Sequence, residues 1–351
     1  MAICDAAEVV TPAGFARDVA DWADAALSGR HGRRQRFSIG LTAFELAAPD
    51  GGDDAWLGRA FLAAQEADSS RRVHLLSAWD GLDPASHPAH RPWGEASHEP
   101  LGVVNSFSDA DVRCAFDVHT SSLIVCDYRA DRSFTWFPQI APLPAWAKAS
   151  PFRIALSWLL NRHQMQLVHG AAVSVGGKAA LLAGAGGSGK STTALACALA
   201  GMGYLGDDYC AIAPEDGQVH LIYRTAKVLP TTLAMLPSLE RWLVNVDTMA
   251  VEKGVMFLAS DDVALTRSAD IGVILLPRLS PDGRSSVTPA TRAEAIHAIL
   301  PSTIGGLMGG TAYTPRAILR LAQGIPAFHL NLGPDIDTVV DAVAGAIGRH
   351  A

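Results

Sequence analysis

The chain has 351 residues, 49% hydrophobic and 18% charged, with 28 Lys plus Arg against 35 Asp plus Glu and a net charge of -7. At roughly 100–200 residues per domain this length predicts about two domains, each able to bury a core, and the apolar fraction excludes a disordered chain. The acidic balance argues against nucleic acid or anionic membrane as partners held by bulk charge, and no apolar run approaches the roughly 20 residues of a membrane span.

Cys4, Cys114, Cys126, Cys197 and Cys210 form no C-x-x-C pair. They read as reduced, mostly buried thiols of a cytosolic protein, not as a disulfide framework or zinc site. The opening MAICDAAEVV lacks a basic segment ahead of an apolar core, so no signal peptide and a cytoplasmic location are expected.

Phe15 to Leu27 has helical spacing, with Phe15, Val19, Trp22 and Leu27 able to share a face. Phe37 to Leu46 alternates like a strand, and Trp56 to Ala67 reads as a second helix. Asp80 to Pro100 is rich in breakers and reads as a loop. Val112–Val118, Ser122–Tyr128 and Ser133–Phe137, separated by polar turns, predict an antiparallel meander. The N-terminal half, 1–150, is therefore expected to be a mixed α/β domain with a small antiparallel sheet that recognises the acceptor of any chemistry carried downstream. Its Trp22, Trp56, Trp79, Trp93, Trp136 and Trp146 are expected mainly as core aromatics.

Prolines 138, 142, 144 and 151 mark a boundary, and 151–351 reads as a second, α/β domain. Phe152 to Gln164 predicts an amphipathic helix. Gln166–Val175 and Ala179–Ala183 predict two strands joined at Gly176-Gly177-Lys178. Gly184 to Ser191 then reads G-A-G-G-S-G-K-S, a full match to G-x-x-x-x-G-K-[ST], between an apolar strand and the helix-forming Thr192–Ala200. Glycines let backbone N–H groups close around phosphate oxygens, and the helix start adds its positive end. Gly184, Ala185, Gly186, Gly187, Ser188, Gly189, Lys190, Ser191 and Thr192 are thus the expected nucleotide cradle for ATP or GTP. Lys190 reaches the β/γ phosphates and Ser191 meets Mg²⁺.

Asp207-Asp208 falls at the end of the strand-like Tyr204-Leu205, directly after the P-loop helix. Paired carboxylates there suit phosphoryl transfer, one accepting a hydroxyl proton and the other holding Mg²⁺. Of five lysines, Lys227 and Lys253 are further candidates for phosphate contacts. His169 on the strand before the hairpin and Arg224 after a later strand are candidates whose alternatives are a core histidine and a surface ion pair.

The order VHGAAV, turn, LLAGAGGSGKS, TTALA, YLGDDY resembles the catalytic domain of HPr kinase/phosphorylase. It is closer still to the HPr-kinase-like proteins of ribosomal-peptide pathways, including lasso-peptide tailoring kinases. The likeness covers Phe152 to about Lys227, and the terminal Leu321–Leu332 and Asp337–Ile347 look like the closing strand and helix. It implies ATP-dependent phosphorylation of a serine hydroxyl on a peptide or small protein. By the resemblance Asp207 is the base, His169 lies beside the pair, and Ser191 binds the metal. HPr kinases are oligomeric, so a homo-oligomer is implied.

The family places a metal-holding Glu two residues before an Arg. Here Ile222 precedes Arg224 at that spacing, so Asp208 is expected to complete the metal shell and Arg224 to neutralise charge. This departure, and the unlike N-terminal half, argue against phosphorolysis and against HPr as the substrate. A small-molecule kinase, or a nucleotide-gated peptide-binding module without transfer, stays open beside the peptide kinase.

Overall fold

A computed structural model describes residues 10–28, 32–49, 56–63, 73–81, 102–307 and 311–350. They form two compact units, one of residues 10–28, 32–36, 44–49, 73–81 and 102–143, the other of 37–43, 56–63, 144–307 and 311–350. The fold is mixed α/β throughout, and among the described residues no helix is long and apolar enough to cross a membrane.

The first unit opens with α1 (Pro12–Ser28), whose Phe15, Ala16, Val19 and Ala23 are buried at helical spacing. Strands β1 (Gly32–Ile39) and β2 (Thr42–Pro49) follow. The single strand expected over Phe37–Leu46 is therefore a hairpin; Gly40, at φ 56, turns the chain, a conformation that alternation cannot reveal. The chain then passes through α2 (Trp56–Arg59), which belongs to the second unit, and the first unit resumes with β3 (Val73–Asp80), β4 (Val112–Asp117), β5 (Ser122–Asp127) and β6 (Arg132–Phe137). The helix expected over Trp56–Ala67 stops at Arg59, and the residues from 64 lie outside those described.

The sheet runs β1-β2-β3-β6-β5-β4. β4, β5 and β6 are the expected antiparallel meander, but β3 pairs with β6 in parallel, so the sheet is mixed and larger than expected. Phe15 and Val19 of α1 pack on Trp79, Val125, Phe134 and Trp136 to form the core. Trp79 and Trp136 are buried as expected; Trp93 and the Trp56 side chain lie outside the described structure.

The second unit continues with α3 (Ala145–Ala149) and α4 (Arg153–Arg162). Every residue from Ile154 to Leu160 is buried, so α4 is covered all round over that stretch and is not the amphipathic helix expected. Next are β7 (Gln166–Val168), β8 (Ala171–Val175), β9 (Lys178–Leu182), α5 (Lys190–Leu199), β10 (Gly203–Gly206), β11 (Cys210–Ala213), β12 (Gln218–His220) and β13 (Thr225–Val228). The chain closes through α6 (Pro230–Met235), β14 (Gly254–Phe257), β15 (Ser268–Leu279), β16 (Ser286–Pro289), α7 (Arg292–Gly306), α8 (Tyr313–Gly324), β17 (Ala327–Leu332) and α9 (Ile336–Arg349). The expected closing strand thus starts at Ala327, because Leu321 to Gly324 still belong to α8.

Strand order is β10-β8-β9-β15-β12-β11-β7, with β17 beside β15 and β16 beyond it. β15 is the spine, parallel to both β9 and β17. It is buried from Ile271 to Pro277, an apolar run expected of a strand covered on both faces. Ile299, Ile318 and Leu321 cover one face, and Cys197, Val339, Val343 and Ile347 the other. Each such aliphatic stabilises by about 1.5–3 kcal/mol when fully buried. β13 and β14 form a separate two-stranded sheet. Cys114, Cys126, Cys197 and Cys210 are buried free thiols, as read from their spacing.

Candidate functional site

Because β9 and β15 are parallel, β9 delivers Gly184 at the same sheet edge where β15 ends. Gly184 (φ 154), Gly187 (φ 79) and Gly189 (φ 103) take backbone conformations that L side chains rarely adopt. Gly189 is also the N-cap of α5, and a Cβ there would lie 2.4 Å from Leu332 Cδ1. Gly184, Gly187 and Gly189 are therefore required by the backbone itself. Lys190, 7% exposed, donates from Nζ to the carbonyls of Gly184 at 2.7 Å and Ala185 at 2.9 Å. Burial lowers its ammonium from the usual lysine range, against the pull of Asp207 and Asp208.

The Asp pair sits in the turn between β10 and β11, where Gly206 (φ 135) and Asp208 (φ 67) are both left-handed. Asp208 is a non-glycine residue in that region, a strain tolerated where the surroundings fix it. Lys227 of β13 supplies much of that fixing. Its backbone N–H donates to Asp207 Oδ2 at 3.1 Å, and its Nζ donates to Asp208 Oδ2 at 2.6 Å. The other Asp208 oxygen meets His169 Nε2 at 3.3 Å.

The two carboxylates are therefore unlike. Asp207 is 2% exposed; its Oδ1 is buried without a hydrogen-bond partner. Burial and the charge of Asp208 push its carboxyl above the ordinary range, while the Lys227 N–H and the Ser191 hydroxyl oppose the rise. For Asp208, burial also opposes ionisation, but Lys227 and His169 outweigh it and hold the carboxyl well below the usual range.

His169 stands where the expected strand Gln166–Val175 breaks into β7 and β8. At the break stands Gly170, whose backbone passes so close to Leu182 that a Cβ would lie 2.9 Å from its carbonyl oxygen. His169 N–H donates to Thr303 Oγ1 at 3.2 Å, and the ring lies 5.7 Å from that of Tyr209.

One cavity of about 450 Å³ is lined by the glycine-rich loop from Gly186 to Ser191, with Thr192, His169, Asp207, Asp208, Lys227 and Lys253. Gly184 and Ala185 are represented there through the Lys190 hydrogen bonds, not as lining. Arg224 is not brought to the cavity. Its Nε donates to Arg59 O at 3.0 Å and its N–H to Ala60 O at 2.8 Å. Ile222 is a core residue at 2% exposure. Lys227, read from the sequence as a candidate phosphate contact, lines the cavity and clamps both carboxylates.

Sequence reasoning missed Thr232, whose hydroxyl meets that of Thr192 at 2.9 Å and ties α6 to the P-loop helix. It also missed the apolar flank of the cavity, Leu279, Leu332, Ile336 and Val339. Only sheet order brings those positions beside Gly189, and no local pattern signals it. Among the described residues no group of three His, Cys, Asp or Glu is gathered for a metal. The available donors near the P-loop are the Ser191 hydroxyl and the open Asp207 oxygen, a hard-oxygen set of the kind Mg²⁺ uses when substrate phosphates and water supply its other ligands. No family model matches this sequence, and no curated protein matches it.

Proposed function

We propose that the chain is a P-loop kinase of the HPr-kinase-like kind, transferring the γ-phosphoryl group of Mg²⁺-ATP to a serine hydroxyl of a peptide or small protein. The observation that carries this reading is the convergence of a complete phosphate-binding loop and two electrostatically distinct carboxylates on one cavity. The peptide nature of the acceptor rests on the resemblance of the motif order.

The glycine-rich loop and the start of α5 bind the phosphates through backbone N–H groups, and Lys190 neutralises their charge. Ser191 and Asp207 would hold the metal, since Asp207 Oδ1 is buried without a hydrogen-bond partner. Magnesium, when bound, neutralises charge developing on the phosphate oxygens. Asp208 has both oxygens committed to Lys227 and His169, which suits it less to the metal role read from the sequence. It is kept ionised, and it orients the acceptor hydroxyl and takes its proton as the new O–P bond forms and ADP leaves. A carboxylate so stabilised is a weak base. In a loose phosphoryl-transfer transition state, orientation matters more than basicity. The roles read for the two aspartates are thus exchanged.

The test is a pair of isosteric variants. Asp208→Asn is expected to cut kcat by about 10²–10⁴-fold with Mg²⁺-ATP affinity nearly unchanged. Asp207→Asn is expected to lose the Mg²⁺ dependence of nucleotide binding as well as transfer. Retention of Mg²⁺-dependent binding and transfer by Asp207→Asn would sink the metal role.

A further inference from the structure

Besides Leu229, Thr231, Thr232 and Met235 around α6, the cavity has two unlike flanks, and sheet order decides which end of a nucleotide each can take. The strand that delivers the P-loop, β9, lies between β8 on one side and β15 on the other. On the β8 side stand His169, Asp207, Asp208 and Lys227, the polar groups that must face the phosphate being transferred. On the other side β15 and β17, parallel to β9 and to each other, end at Leu279 and Leu332. Ile336 and Val339 of α9 complete that wall, with Gly333 between strand and helix.

From this arrangement we infer that the Leu279–Leu332–Ile336 flank is a nucleobase slot that grips a purine by apolar contact without reading which purine it is. The inference rests on the nucleotide reading above and extends it to base specificity. A triphosphate whose γ end faces the aspartates directs its base across Gly189 toward this wall, and Leu332 lies directly against Gly189.

Two observations support the occupant. Leu279 is 85% exposed at the cavity rim, a position where a large apolar side chain gains by being covered. The flank also offers no side-chain donor or acceptor: its lining residues are Leu279, Leu332, Gly333, Ile336 and Val339. The Gly333 N–H is already donated to Ser285 Oγ at 3.2 Å. Adenine and guanine differ in the hydrogen-bonding groups on their rims, not in their faces. A site without matching polar groups cannot separate them strongly, whereas a site built to hydrogen-bond one would reject the other. Flat apolar contact is worth much the same for either purine.

The experiment is calorimetric titration of the full chain with Mg²⁺-ATP, Mg²⁺-GTP and Mg²⁺-tripolyphosphate, for the native sequence and for the Leu279→Ser/Ile336→Ser double variant. ATP and GTP are expected to bind within about threefold of each other, and tripolyphosphate at least about tenfold more weakly. The double variant should weaken both nucleotides alike, by about tenfold, and leave tripolyphosphate within about twofold. Leu279→Ser alone, at an exposed position, keeps the test open if the double variant does not fold, with a smaller loss in the same direction. A preference for one purine above about tenfold overturns the slot, as does nucleotide binding indifferent to these substitutions. Tripolyphosphate binding without any gain from a base overturns the slot while sparing the phosphate cradle. Failure of all three to bind a folded protein overturns the nucleotide reading and the slot with it.

Discussion

Asp207 is a carboxylate that the fold houses at a cost. Its raised ionisation range means the native state holds a proton that the unfolded chain releases earlier as pH rises past the ordinary value near 3.8. Stability from this group is therefore lost with rising pH above that point, and at neutral pH its charge is a liability. Asp207→Asn should raise Tm at pH 7, the gain vanishing below the ordinary Asp range, where both side chains are neutral; a lowered Tm at pH 7 would contradict this account. Asp208 has the opposite sign: its depressed range gives stability that is complete above the ordinary value and lost only as pH falls through the folded one. Removing its partner by Lys227→Met leaves an uncompensated buried charge and should cost about 3–5 kcal/mol in denaturant unfolding. The glycine-rich loop and the Asp pair were legible in the sequence as local features because each is a contiguous motif. Lys227 was visible only as a scarce lysine, since its two bonds to the aspartates span 19 and 20 positions of chain.

At the level of elements, the start of α5 depends on a glycine that no other residue replaces without strain. Gly189→Ala must hold a Cβ at φ 103 and displace Leu332, so a loss of about 1–2 kcal/mol and weaker phosphate binding are expected. Helix α7 is set by a reciprocal cap, the Thr291 hydroxyl accepting from Glu294 N–H and the Glu294 carboxylate accepting from Thr291 N–H. Thr291→Ala should cost about 1 kcal/mol with no effect on nucleotide binding. The meander β4–β6, the hairpin β8–β9 and the P-loop helix followed from alternation and turn residues. The hairpin β1–β2 and the break at His169–Gly170 did not. Both fall at glycines whose conformation or close packing involves neighbours distant in sequence. β3 was missed for a related reason: it is a parallel partner of β6, a pairing that no local turn announces.

For the whole molecule, the prolines around 144 coincide with where the second unit resumes, yet that unit also takes in 37–43 and 56–63. Phe61 stacks on Phe37 at 4.0 Å and lies 5.4 Å from Tyr223. Arg224 and Arg267 hydrogen-bond to backbone carbonyls of residues 59, 60 and 63. A fragment of residues 151–351 should therefore unfold more readily than the full chain, and Phe61→Ala should cost about 3–5 kcal/mol. Linear composition marks a boundary but cannot show that one domain recruits segments from beyond it. The central claim is that the P-loop and the Asp pair together move a phosphoryl group to a serine. Its most direct test is incubation of the full chain with γ-labelled ATP and Mg²⁺ against a serine-containing peptide library and HPr, alongside Lys190→Ala and Asp208→Asn. Label on a peptide serine, absent with both variants, is the predicted result; nucleotide binding with no label on any peptide, or label that survives Lys190→Ala, would contradict it.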